Sequence, residues 1–183
     1  MKRFCLLLMA AVLLLTVVAC AAEPSKGGTT STTTTTPYSE PTLVSVSLSD
    51  MLPRELLSQL LDADMREPMV KENGTQMDAF SNPSEGERPV SIKINMIERT
   101  RTHYDEMLSN YDWAEQITEI SGVGEVAHWV SDRTQYTPYT MLLFYAYGYA
   151  VEINLSSYDR TDSTLQTQAT QVALTMIAAL SKV

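Results

Sequence analysis

The sequence predicts an α+β domain, an antiparallel sheet of about five to six strands with two to three helices packed on it. Three segments carry that expectation. Val90, Ile92, Ile94 and Met96 alternate with Ser91, Lys93 and Asn95, the period of a strand with one buried face. Thr140 to Ala146 and Tyr149 to Leu155 flank Tyr147-Gly148 as the arms and turn of a β-hairpin. Leu165, Ala169, Val172, Met176 and Leu180 make one stripe along a closing helix.

In chain order, Thr42 to Leu48 sets Val44, Val46 and Leu48 against Ser45 and Ser47, a candidate first strand. Ser49-Asp50 offers a cap and Pro53-Arg54-Glu55 a first turn for a helix running to about Ala63, with Leu56, Leu57, Leu60 and Leu61 on one face. Met69-Val70 and Met77 to Phe80 are candidate short strands separated by the turn signal Asn73-Gly74, and residues 82–86 form a loop. After the strand at Val90 to Met96, Tyr104, Met107, Leu108 and Tyr111 have the i, i+3, i+4, i+7 spacing of a helix near Arg99 to Tyr111. Gly122-Val-Gly124 breaks the chain before a strand from Glu125 to Val130.

A two-residue hairpin turn pairs Ala146 with Tyr149, Phe144 with Val151 and Leu142 with Ile153. One face then carries Leu142, Phe144, Ala146, Tyr149, Val151, Ile153 and Leu155, which is core. The opposite face places Met141, Leu143 and Tyr145 beside Ala150, Glu152 and Asn154, half apolar and half polar. Thr161-Asp162 caps the closing helix, with Asp159 assigned to the same role.

The N-terminal end reads as an address. Met1-Lys2-Arg3 is basic, and Phe4 to Ala19 is almost wholly apolar, the n- and h-regions of a secretory signal. A signal-anchor helix is the alternative, although the run is near the lower limit for spanning a bilayer. Val17-Val-Ala-Cys20 resembles the bacterial lipobox. That resemblance implies cleavage after residue 19, a diacylglyceryl group on Cys20, and a lipid anchor at the extracytoplasmic face of a cell membrane. Residues 20–41 then form a tether, AEPSKGGTTSTTTTTPYSEP after the first alanine, too polar to offset its ordering entropy. Twenty-odd coil residues reach on the order of 25 Å. The Thr32 to Thr36 tract reads as spacer, with O-glycosylation the alternative, and Thr-rich tethers of this kind resemble those of Gram-positive organisms. Residues 42–183 are left as a single globular domain.

Without the signal the chain carries 11 basic and 22 acidic residues, a net charge of −11. Such a balance excludes nucleic acid and anionic lipid surfaces as natural partners. Cys5 leaves with the signal and Cys20 carries lipid, so no thiol remains for a disulfide, a nucleophile or a metal site. His103 and His128, with Asp105 and Glu125, are the residue types of zinc or acid–base chemistry, but neither HExxH nor an i, i+4 histidine pair occurs. Ser121 to Glu125 lacks the lysine and following helix of a phosphate loop. Asp159, Asp162 and Glu152 lack EF-hand spacing, and no cofactor is expected.

The aromatic residues are the stronger signal. Trp129, Tyr136, Tyr139, Tyr145, Tyr147 and Tyr149 fall within about twenty residues. If helices do not cover the hairpin's second face, Met141, Leu143 and Tyr145, with Tyr136, Tyr139 and Tyr147, form an exposed interaction surface. The order Gly122-Val-Gly-Glu-Val-Ala-His-Trp129, a hydrophobic hairpin with a Gly turn, an Ala-rich closing helix and the paired leucines of Leu56 to Leu61 resembles small bacterial envelope lipoproteins of unknown function, some related to the Mog1/PsbP-like α/β sandwich. That resemblance implies a non-enzymatic accessory role. The leading expectation is therefore a membrane-tethered module binding another envelope protein or a wall component. A small-molecule binder with a cleft between sheet and helices is the first alternative. A hydrolase-type enzyme using His103 or His128 is the second.

Overall fold

A computed structural model describes residues 46–134 and 138–183. Cys20, the tether and Tyr136 lie outside the described residues. The described chain forms helices α1 (Leu48–Met51) and α2 (Arg54–Leu61), then strands β1 (Met69–Lys71), β2 (Gln76–Phe80) and β3 (Ser91–Glu98). Helix α3 (Arg101–Ser109) follows, then β4 (Gln116–Glu119), β5 (Val126–Asp132), β6 (Tyr139–Ala146), β7 (Tyr149–Ser156) and the long α4 (Asp162–Leu180).

The sheet has seven strands, in the order β1-β2-β3-β7-β6-β5-β4 and antiparallel throughout. Two meanders, β1-β2-β3 and β4-β5-β6-β7, thus share a central β3–β7 pair, and α3 lies on the connection between them. The α+β class holds, with a larger sheet than the five to six strands expected. Edge strand β4 adds to the count because Ile117 is its one apolar side chain and leaves little alternation to read. Of the expected first strand, residues 42–45 lie outside the described residues; the rest is corrected, since residues 46–47 carry no regular structure and Leu48 and Met51 share the buried side of α1. Spacing of i, i+3 puts both on one helical face, where they join the core.

The β6–β7 hairpin turns on Tyr147 (φ 51°) and Gly148 (φ 80°), the two left-handed positions of a type I′ turn. Its register pairs Ala146 with Tyr149, Phe144 with Val151 and Leu142 with Ile153. The first face of the sheet meets α1, α2 and α4 in one core. Ile92, Ile94, Trp129, Leu142, Phe144, Val151 and Ile153 pack there with Leu57, Leu61, Leu165, Val172 and Met176. The N-terminus of α4 is fastened to this face. Thr161 Oγ1 accepts from Thr164 N at 3.3 Å as the cap. Asp162 lies one residue inside and accepts from Trp129 Nε1 at 3.0 Å and Ser131 Oγ at 2.8 Å. Asp159 is not a cap; its Oδ2 accepts from Arg88 N at 3.2 Å. Both acids therefore tie separate segments together, a role set by the tertiary fold.

Candidate functional site

The pairing registers define rows of side chains across the sheet's second face. One row runs Lys71, Gln76, Asn95, Glu152, Leu143, His128, Glu119 from β1 to β4. The next runs Met69, Asp78, Lys93, Asn154, Met141, Val130, Ile117, and a shorter one joins Phe80, Ser91 and Ser156. The first two rows change from polar on β7 to apolar on β6, and a fourth, Ile97, Ala150, Tyr145, Val126, is apolar from β3 to β5. The structure follows that boundary: α3 and the turns after it cover the apolar half and leave the polar half open.

Under α3 lies a second core of Tyr104, Val130, Met141, Leu143, Tyr145 and Ala150, with Met107, Leu108 and Tyr111 at its margin. Met141 and Leu143 are 0% exposed and Tyr145 is 9% exposed. These three residues do not form an exposed patch. The reason is the amphipathic stripe of α3, whose Tyr104 fills the space over β6 and is itself fully buried. Tyr139 is half-buried, and Tyr147 stands exposed at the hairpin turn.

The open half is built differently. Lys71 Nζ and Asp78 Oδ2 pair at 2.8 Å. Glu152 accepts from Asn95 Nδ2 at 3.2 Å and from the Tyr111 hydroxyl at 2.9 Å. Lys71, Gln76, Asp78, Lys93, Asn95 and Asn154 border a shallow depression of about 200 Å³. At the seam between the halves, Tyr111 stacks on Tyr139 at 6.1 Å between centroids, and Trp113 meets the Tyr139 ring edge-on at 5.4 Å. Trp113 is 50% exposed. Burial, reinforced by the Glu152 carboxylate, pushes the Tyr111 phenol well above its usual range, and burial raises that of Tyr139. Both phenols therefore stay protonated across the physiological range, Tyr111 donating to Glu152 and Tyr139 to Met141 Sδ.

His128 occupies another part of the same face, and His103 lies exposed on α3. His128 Nδ1 is 2.7 Å from the Tyr104 hydroxyl, which also donates to Leu143 O at 3.3 Å. Burial lowers the His128 pKa, and the nearby Glu119 carboxylate partly offsets that effect. His103 Nδ1 lies 2.8 Å from Thr100 Oγ1, a contact within one turn of α3. Among the described residues no group of three His, Cys, Asp or Glu is placed to hold a metal ion. Gly122 to Gly124 form a turn against β6, with Glu125 N donating to Tyr145 O at 2.9 Å.

A larger cleft of about 500 Å³ lies between the loop before β3 and the segment leading into α4. Its polar groups largely satisfy one another. Asp64 takes hydrogen bonds from Asn82 and Arg54, which hold its carboxyl below the usual range. Arg160 donates to Leu61 O, Asp62 O and Gln168 Oε1.

Sequence reasoning placed Tyr111 in a helical stripe and passed over Trp113. The signal was Trp113 itself, a large aromatic just beyond the stripe in a polar stretch, Tyr-Asp-Trp-Ala-Glu-Gln. The amide and charged residues of the open rows were legible only as the solvent face of strands. No family model, no curated protein and no solved structure matches this chain.

Proposed function

We propose that this chain is a lipid-anchored extracytoplasmic lipoprotein whose globular domain is a binding head for another component of the cell envelope. The lipobox-like end at Cys20 and the polar, Thr-rich stretch behind it support the anchor and the tether. One observation carries the binding reading: half of a sheet face is left uncovered beside a half-exposed tryptophan. The middle of the open rows is not waiting for a core, because its side chains are amides and charges, with Met69 and Phe80 at the outer edge. Those polar groups can offer hydrogen bonds to a ligand from a rigid strand scaffold, while Trp113, Tyr139 and Tyr111 offer aromatic area at the border.

Co-sedimentation with purified cell envelopes tests this reading. The full-length chain is expected to pellet with them, and the double variant Lys93→Ala/Asn154→Ala to lose most of that binding while keeping its circular dichroism spectrum. Equal binding by both proteins would refute the open face as the site. Cys20→Ser tests the anchor separately: the variant should take up no palmitate label and leave the membrane fraction.

A further inference from the structure

We infer that the ligand of the open half-face is an uncharged polysaccharide, lying across strands β1, β2, β3 and β7 with a ring against the Trp113 edge. The inference rests on the binding-head reading and adds the ligand class. It begins from charge. Without its signal the chain carries −11, yet the open rows hold two lysines, Lys71 and Lys93, against two acids, Asp78 and Glu152. The charges are also balanced locally: Lys71 pairs with Asp78, Glu152 takes two hydrogen bonds, and Lys93 holds the register position opposite Asp78. A neutral, internally compensated face gives no electrostatic advantage to an anionic or a cationic polymer. It suits a ligand with many hydroxyls and no net charge.

The distribution of apolar area gives the second argument. Protein–protein interfaces place apolar side chains at the centre and polar ones at the rim. Here the order is reversed. Gln76, Asp78, Lys93 and Asn95 occupy the middle, whereas Met69, Phe80 and the Trp113 cluster stand at the borders. A sugar chain fits that arrangement, since its hydroxyl edges take hydrogen bonds and its C–H faces stack on aromatic rings at the margin. Three inter-strand steps separate β1 from β7, about 14 Å of platform and room for a few linked rings.

The test uses the full-length chain in detergent and three probes: untreated envelopes, wall polysaccharide stripped of protein by protease, and soluble tetramers of glucose and of N-acetylglucosamine. The stripped polysaccharide should bind as well as untreated envelopes, and at least one tetramer should shift the tryptophan fluorescence. Trp113→Ala should weaken binding about tenfold, and Trp113→Phe much less, because a ring remains to stack. Affinity should change little from about 0.1 M to about 1 M salt. If envelopes bind but stripped polysaccharide does not, the partner is a protein and the polysaccharide inference fails, while the binding-head reading stands on the Lys93→Ala/Asn154→Ala result. A steep salt dependence would overturn the uncharged ligand. If no envelope preparation binds, the binding-head reading itself fails.

Discussion

Replacing Asp162 with alanine tests how α4 is fastened to the sheet. Its carboxylate receives the indole N–H of Trp129, which is almost fully buried, and the hydroxyl of Ser131. A hydrogen bond to a charged group contributes about 1.5–3 kcal/mol, and an acid in the first turn adds about 0.3–1 kcal/mol through the helix dipole. Asp162 is half-exposed, so the lower ends of those ranges apply, and alanine recovers some helix propensity. The expected loss is about 3 kcal/mol, with about half of it from the stranded Trp129 N–H. Urea unfolding followed by far-ultraviolet circular dichroism measures it. In a Trp129→Phe background the donor is already gone, so Asp162→Ala should cost about half as much there. A cost below about 0.5 kcal/mol, or an identical cost in both backgrounds, would refute the fastening argument.

Three further outcomes follow from the packing. Gly124 has φ +61°, and a Cβ there would lie 2.4 Å from Tyr145 O, so Gly124→Ala should cost more than about 2 kcal/mol. Gly122→Ala, at φ +80° in open space, should cost only about 1 kcal/mol; equal losses would sink the close-approach explanation. Leu143→Ala should lose about 2–5 kcal/mol in denaturant titration, as a core truncation does, whereas a change under about 0.5 kcal/mol would mean that α3 does not cover this face. Burial holds the His128 pKa below the ordinary histidine value of 6.5, so the unfolded chain binds the proton more readily. Its contribution is present above pH 6.5 and is lost as pH falls through the folded value. His128→Gln should therefore flatten stability against pH in the window from about 7 downward, and an unchanged slope would exclude His128 as its source.

Much of the fold was legible because the strongest segments carry a single message. The β6–β7 register follows from two residues able to take positive φ and from apolar residues at every second position. The α4 stripe likewise admits one buried face. The elements read wrongly are those whose signal is local and weak. Val46 and Leu48 continue an alternation that reads like a strand, but among the described residues Leu48 is fully buried in a helix. The site was harder still. Sequence shows that the second face is half apolar, but only the path of α3 decides which half is covered. Trp113 becomes informative once Tyr139, 26 positions further along the chain, stands against it. Asp162 looked like a cap because its helical position is local, while its partners Trp129 and Ser131 come from another strand.

The division of the second sheet face also separates what holds the protein together from the surface proposed to bind. The side chains under α3 and those facing α4 make the buried cores, and a substitution there is felt by the whole domain. Lys71, Gln76, Lys93, Asn95 and Asn154 contribute to neither core, and they stand on strands whose other face is already anchored. Mutations at these positions should alter affinity with small effects on folding. Natural variation can therefore retune this surface residue by residue, while the seven-stranded scaffold stays under its own, separate selection.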